Sequence, residues 1–217
     1  MDHATAISQL QKARLYAILD TGYSAPNDWP KLTEQLIAGG VGVIQIRAKK
    51  SSHEEIIAWT KLVQPITQDH HIPLIINDFP ELVSITQADG VHIGQDDMAV
   101  NAARKLTGPD KIIGKSTHSL LQVRETASEK PDYIGFGPLF STPTKPTYNP
   151  VGLQEISQVR DLIHAPVFCI GGIKVENISQ VIEKGAQRVV IVSGLLTASS
   201  PTQYAMDIFK HLSRMQL

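Results

Sequence analysis

The chain has 217 residues, 42% hydrophobic and 19% charged, so it can bury a full core and lacks the composition of a disordered segment. Lys and Arg number 20 against 21 Asp and Glu, a formal net charge of -1 that excludes nucleic-acid or membrane-surface binding driven by overall charge. Any cation cluster must therefore be local.

Met1-Asp2-His3 opens a segment without the basic region and apolar stretch of a signal peptide. The longest apolar runs, such as Val189 to Leu196, are too short to span a bilayer. Cys169, the one cysteine, excludes an internal disulfide and fits a reducing compartment; inside Val167-Phe168-Cys169-Ile170 it reads as a buried small hydrophobe. These features lead to the expectation of a cytoplasmic protein with no membrane and no nucleic-acid partner.

Eight short β-branched or apolar runs follow one another: Leu15 to Leu19, Val41 to Ile46, Pro73 to Ile76, Gly90 to Ile93, Lys111 to Gly114, Tyr133 to Phe140, Val167 to Ile170 and Val189 to Val192. Between them lie segments with helical spacing, such as Ile56, Trp59, Val63 and Ile66, and the last segment puts Tyr204, Ile208 and Leu212 on one stripe. Strand and helix in alternation imply parallel pairing. Eight such units predict an α/β fold, a single (β/α)8 TIM barrel over residues 1-217, with its site at the C-terminal ends of the strands. An open doubly wound sheet is the competitor. Closure is favoured because candidate site residues follow nearly every strand. The loop from Ser141 to Pro150, rich in Pro and Thr, has the length of a binding loop or lid.

In Gln45-Ile46-Arg47-Ala48-Lys49 the period of two places Gln45, Arg47 and Lys49 on one face and Ile44 and Ile46 on the other. An inward Arg47 needs an anion, either a buried carboxylate such as a glutamate or a ligand phosphate. Asp78 in Asn77-Asp78, and Asp97 in Gly94-Gln95-Asp96-Asp97, stand at successive strand ends. Hard carboxylate oxygens suit a Mg2+ that keeps some waters and bridges substrate phosphates. After the fifth run, Gly114-Lys115-Ser116-Thr117-His118 imitates the tail of a nucleotide-binding loop, but Pro109 stands where the upstream glycine would be, so that reading fails. Ser116 can donate to a phosphate. His118 is either an acid or base at the mouth or a merely hydrogen-bonded residue at a helix start. Thr142, Thr144 and Lys145 add donors in the long loop. Gly171-Gly172 and Val192-Ser193-Gly194, after the last two strands, let backbone N-H groups approach a phosphate closely.

Taken together these strings resemble the thiamine phosphate synthase family across nearly the whole chain. Gln45-Ile46-Arg47-Ala48-Lys49 is similar to that family's Gln-x-Arg-x-Lys, Asn77-Asp78 to its Asn-Asp, and Gly94-Gln95-Asp96-Asp97 to its Gly-Gln-acid-Asp. Gly137-Pro138, Thr142-Pro143-Thr144-Lys145, Ile170-Gly171-Gly172-Ile173 and Val192-Ser193 follow in the same order. Small departures exist: Ala48 where Glu is frequent, Phe79 where a polar residue is common, and Lys115 in place of an apolar residue, with an outward, solvated side chain as the expectation for the last.

The resemblance implies a transferase of thiamine biosynthesis whose small-molecule partners are a pyrimidine diphosphate and a thiazole phosphate. It implies that Gln45, Arg47, Lys49 and Asn77 hold the pyrimidine diphosphate, with a contact from Ser116, and that Asp78 and Asp97 bind Mg2+ as cofactor. Thr142, Thr144 and Lys145 would face the phosphates, while Gly172, Val192 and Ser193 would seat the thiazole phosphate. Arg47, Lys49, Ser116 and Lys145 are then the catalytic candidates, in a dissociative displacement that needs no strong base. Two alternatives are a thiazole tautomerase of the same superfamily, with His118 as proton shuttle, and a noncatalytic sensor that keeps the phosphate pocket.

Overall fold

A computed structural model describes residues 1-142 and 149-213. The chain opens with helix α1 (His3–Lys12), then alternates β1 (Leu15–Asp20), α2 (Trp29–Ala38), β2 (Val43–Arg47), α3 (His53–Asp69), β3 (Leu74–Asn77), α4 (Glu81–Thr86), β4 (Gly90–Ile93) and α5 (Val100–Thr107). It continues with β5 (Ile112–Thr117), α6 (Leu120–Glu129), β6 (Tyr133–Phe136), α7 (Ile156–Leu162), β7 (Val167–Ile170), α8 (Ile178–Glu183), β8 (Val189–Ile191), α9 (Ser193–Leu196) and α10 (Pro201–Ser213). The eight strands are parallel and close in sequence order. Closure is made by β8 pairing with β1, Leu15 opposite Val189 and Ala17 opposite Ile191, so the open-sheet alternative is out.

The period of two sorts each strand into two cores. Ala17, Leu19, Ile44, Ile46, Ile76 and Ile134 point outward into the layer between strands and helices. Tyr16, Ile18, Val43, Ile75, Tyr133 and Phe168 point inward and fill the barrel. Ala6 and Leu10 of α1 pack on that inner set, so the first helix plugs the N-terminal end of the barrel. The sequence reading assigned no helix there. Its local signal is Asp2, whose side chain accepts from the Thr5 N-H at 2.9 Å and caps the first turn. On α3, Ser52 and Glu55 form a reciprocal capping box.

Two strand limits differ from expectation for a physical reason. The sixth strand ends at Phe136 instead of Phe140, because Pro138 has no N-H to give to a ladder. Leu139 and Phe140 still donate to the carbonyls of Ile170 and Gly171, which keeps this segment against β7. The fifth strand runs on to Thr117, past Gly114, because its polar end is used on both faces: Ser116 inward, Lys115 outward. Lys115 corrects the expectation of a solvated side chain. It is 5% exposed and its ammonium lies 2.8 Å from Glu129 of α6. No helix among the described residues is long and apolar enough to cross a membrane.

Gly114 decides how the barrel interior is filled. A Cβ there would overlap the phenol end of Tyr133, its register neighbour on β6. Gly114→Ala should therefore cost roughly 1–3 kcal/mol, the usual range for overpacking, measured as a lower urea midpoint; wild-type stability in that variant would reject the close approach.

Candidate active site

A cavity of about 160 Å³ opens at the C-terminal ends of the strands. Ile18, Ile170 and Val190 give it an apolar floor. Gln45, Arg47, Asn77 and Ser116 line one side, from β2, β3 and β5. Thr142, Gly172, Val192 and Ser193 line the other, from the segments after β6, β7 and β8. Thr144 and Lys145 lie outside the described residues. Lys174, which the sequence reading passed over, also reaches the cavity two residues beyond Gly172.

Arg47 at the end of β2 and Lys49 just after it already have carboxylate partners. Arg47 pairs with Asp20, which is 3% exposed and also accepts from the Gly22 N-H at 2.8 Å. The anion that an inward arginine requires is thus an aspartate from β1, not a glutamate, and the β1–β2 register sets Asp20 opposite Arg47. Lys49, its side chain 48% exposed, lies 3.0 Å from Asp78. Asp78 has a backbone φ of 67°. Its carboxyl is held above the ordinary 3.8, chiefly by burial, with Lys49 pulling it down and the charge of Asp97 pushing it up. The two acids therefore face one another at one end of the molecule. Asp97 is held in place by the Gly94 N-H at 2.5 Å, and a Cβ on Gly94 would come within 3.0 Å of that carboxylate.

This acid pair stands beside the cavity, next to Asn77, and neither Asp nor Lys49 is in its wall. Two close carboxylates are a fitting donor set for a hard divalent cation. Among the described residues no group of three or more His, Cys, Asp or Glu side chains converges as a metal centre. An ion at Asp78 and Asp97 would take its remaining ligands from water and phosphate oxygens.

Beneath the cavity a chain of polar groups crosses the barrel. The Gln45 amide donates to the Tyr16 hydroxyl at 2.7 Å, and the Tyr16 and Tyr133 hydroxyls are 2.9 Å apart. Tyr133 reaches His92 Nδ1 at 3.0 Å, and His92 Nε2 reaches the Ser116 hydroxyl at 2.9 Å. Burial raises both phenols above their ordinary value, so each keeps its proton. With Gln45 as the first donor, the Tyr16 hydroxyl donates to Tyr133 and the Tyr133 hydroxyl donates to Nδ1. His92 then carries hydrogen on Nε2 and donates to Ser116, which leaves the serine proton for the cavity. At the other end Gln45 Oε1 is buried with no partner, an acceptor awaiting a donor. Tyr16, His92 and Tyr133 were read only as members of apolar runs. Their signal was parity, since each shares the inward face of its strand.

The remaining expectations fall as follows. His118 lines the cavity, with its Nδ1 against the Gly137 carbonyl and its N-H donating to Gln122 at 2.7 Å. Gly171 and Gly172 have φ of 98° and 66°, and a Cβ on Gly172 would meet the Ser141 carbonyl at 2.9 Å. Only glycine fits that turn. Ser193 begins α9, whose first amides have no acceptor inside the helix.

Residues 15–195 match the family described as thiamine monophosphate synthase. The chain is 41% identical over 186 residues to a thiamine-phosphate synthase from Halalkalibacterium halodurans, covering 85% of this chain and 88% of that one. It is 37% identical over 196 residues to one from Clostridium acetobutylicum, covering 90% and 93%. In structure it is similar to a thiamine phosphate pyrophosphorylase from Pyrococcus furiosus, with a TM-score of 0.85 over 96% of this chain and 98% of that one. At 24% identity that likeness speaks for the fold alone.

Tyr133→Phe tests the polar chain. It strips one partner each from the buried Tyr16 and the part-buried His92, and should cost about 1–3 kcal/mol in urea denaturation, the penalty of a donor and an acceptor losing a bond inside the barrel. A change within a few tenths would mean that these contacts are incidental.

Proposed function

This chain belongs to the thiamine monophosphate synthase family, and from that membership we propose that it is itself a thiamine-phosphate synthase, condensing hydroxymethylpyrimidine diphosphate with hydroxyethylthiazole phosphate, or its carboxylate form, into thiamine phosphate and diphosphate. The observation that carries the reading is a mouth with two chemically different walls. One wall has Gln45, Arg47 and Asn77 beside a lysine and an acid pair; the other has glycine turns and a helix start. Each suits one phosphorylated ring.

The bond between the pyrimidine methylene and the diphosphate oxygen breaks, its electron pair leaving with the diphosphate, and the lone pair of the thiazole nitrogen forms the new bond to carbon. No proton has to move, because that nitrogen carries none. The amino group of the pyrimidine feeds electrons to the methylene and favours a dissociative path. The protein's task is to hold the rings in line and to stabilise departing negative charge.

Arg47 keeps Asp20 as a brace and turns its other donors to the diphosphate, while Lys49 exchanges the Asp78 carboxylate for it. Asp78 and Asp97 would hold Mg2+, which when bound supplies positive charge to diphosphate oxygens. The open acceptor of Gln45 and the amide of Asn77 would orient the pyrimidine, and the Ser116 proton, directed outward by His92, would contact it. Thr142, Thr144 and Lys145 would face the thiazole phosphate and the diphosphate. Gly172, Val192 and Ser193 would seat the thiazole phosphate through backbone groups. The unpaired Cys169, its thiol pushed up to about 12 by burial, supports work in the reducing cytoplasm. Isomerisation of a thiazole carries less weight: the relatives described above are named as synthases, and His118 Nδ1 is engaged by the Gly137 carbonyl.

Mixing the protein with both ring substrates and Mg2+ should yield thiamine phosphate and diphosphate in equal amounts, and chelation of the metal should stop it. Absence of product with intact substrates would overturn the assignment. Asp97→Ala should lower kcat by ~10²–10³-fold, the usual loss for one stabiliser of developing charge, with an unchanged melting curve; normal turnover at limiting Mg2+ would reject the metal site.

A further inference from the structure

A second cavity, of about 380 Å³, lies at the opposite, N-terminal end of the barrel and has no part in the chemistry above. It is bounded by Gln11 of α1, Arg160 at the end of α7, His164 in the following loop, Gln187 and Arg188 ahead of β8, and the buried Cys169. Arg188 has five N-H donors and makes one hydrogen bond, from Nη2 to the Gln11 carbonyl at 2.9 Å. Its Nε is buried with no acceptor. Arg160 donates to the Gly185 carbonyl at 3.1 Å. Among the described residues no carboxylate forms an ion pair with either side chain.

Arg14 stands close enough that its charge and that of Arg160 add to burial in weakening the hold of Arg188 on its proton. The charge of Arg160 beside a half-buried, under-satisfied Arg188 guanidinium is costly unless an anion joins them. The formal net charge of -1 shows that this is a local concentration and no consequence of a basic surface.

We propose that this cavity is a second ligand site, which takes a small multivalent oxyanion, inorganic phosphate or a phosphate monoester, on the forks of Arg160 and Arg188. His164 sits on its rim and serves as a reporter, as His118 does for the mouth.

The test follows the imidazole signals of both histidines by proton NMR, assigned with His164→Gln and His118→Gln, during titration with inorganic phosphate or glycerol phosphate at constant pH and ionic strength. The His164 signal should move saturably with at least one probe, and the tighter of the two tells free ion from ester. Arg160→Gln and Arg188→Gln should each weaken that response by about tenfold or more, as expected when one partner of a desolvated charge pair is removed. Thiamine phosphate formation should be unchanged in both variants, which separates failure here from failure at the mouth. Arg160→Gln, whose one bond lies on the exposed face, keeps the test open if Arg188→Gln does not fold. A His164 signal that ignores both probes, or responds equally in the variants, overturns the site.

Discussion

The hydrogen-bonded line from Gln45 through Tyr16, Tyr133 and His92 to Ser116 is the constraint around which the interior is arranged. Five polar side chains from β1, β2, β4, β5 and β6 would be expensive inside a barrel if any stood alone. They are tolerable because each satisfies the next, and the Tyr133 phenol fits only because Gly114 has no side chain in its way. The network starts at the Gln45 amide and ends at the Ser116 hydroxyl, and both residues line the cavity, so one structure sets the two at fixed spacing.

Charge at the mouth follows a different rule. Arg47 and Lys49 are held by Asp20 and Asp78 in the protein without substrate, which keeps both cations positioned and prevents an uncompensated inward charge. A diphosphate must compete with those carboxylates. The two pairs differ in the competition: Asp20 is nearly inaccessible and remains a brace, whereas Lys49 is half exposed and Asp78 is penalised by burial and by Asp97, so that pair opens more readily.

The two ends of the barrel treat cations differently. At the mouth Arg47 and Lys49 each have an acid within reach, while at the N-terminal end Arg160 and Arg188 rely on backbone carbonyls. The plug formed by α1 separates the two regions, with Leu10 and Ala6 packed on the inward strand residues.

The barrel and most of its site were legible in the chain because both rest on local rules. Strand parity places Gln45 and Arg47 together, and positive-φ glycines mark Gly171-Gly172, whatever the rest of the molecule does. The motif order carried the acid pair. Partners separated by long stretches of sequence were not legible: Asp20 for Arg47, Glu129 for Lys115, and the Tyr16–Tyr133 contact across 117 positions. A buried polar residue in an apolar run looks the same whether it is satisfied or not, and only closure of the sheet brings its partner within 3 Å. The sequence by itself determined which face each residue shows and where the chain turns; the tertiary structure alone decided which charges neutralise one another, because pairing depends on distance through space and not along the chain.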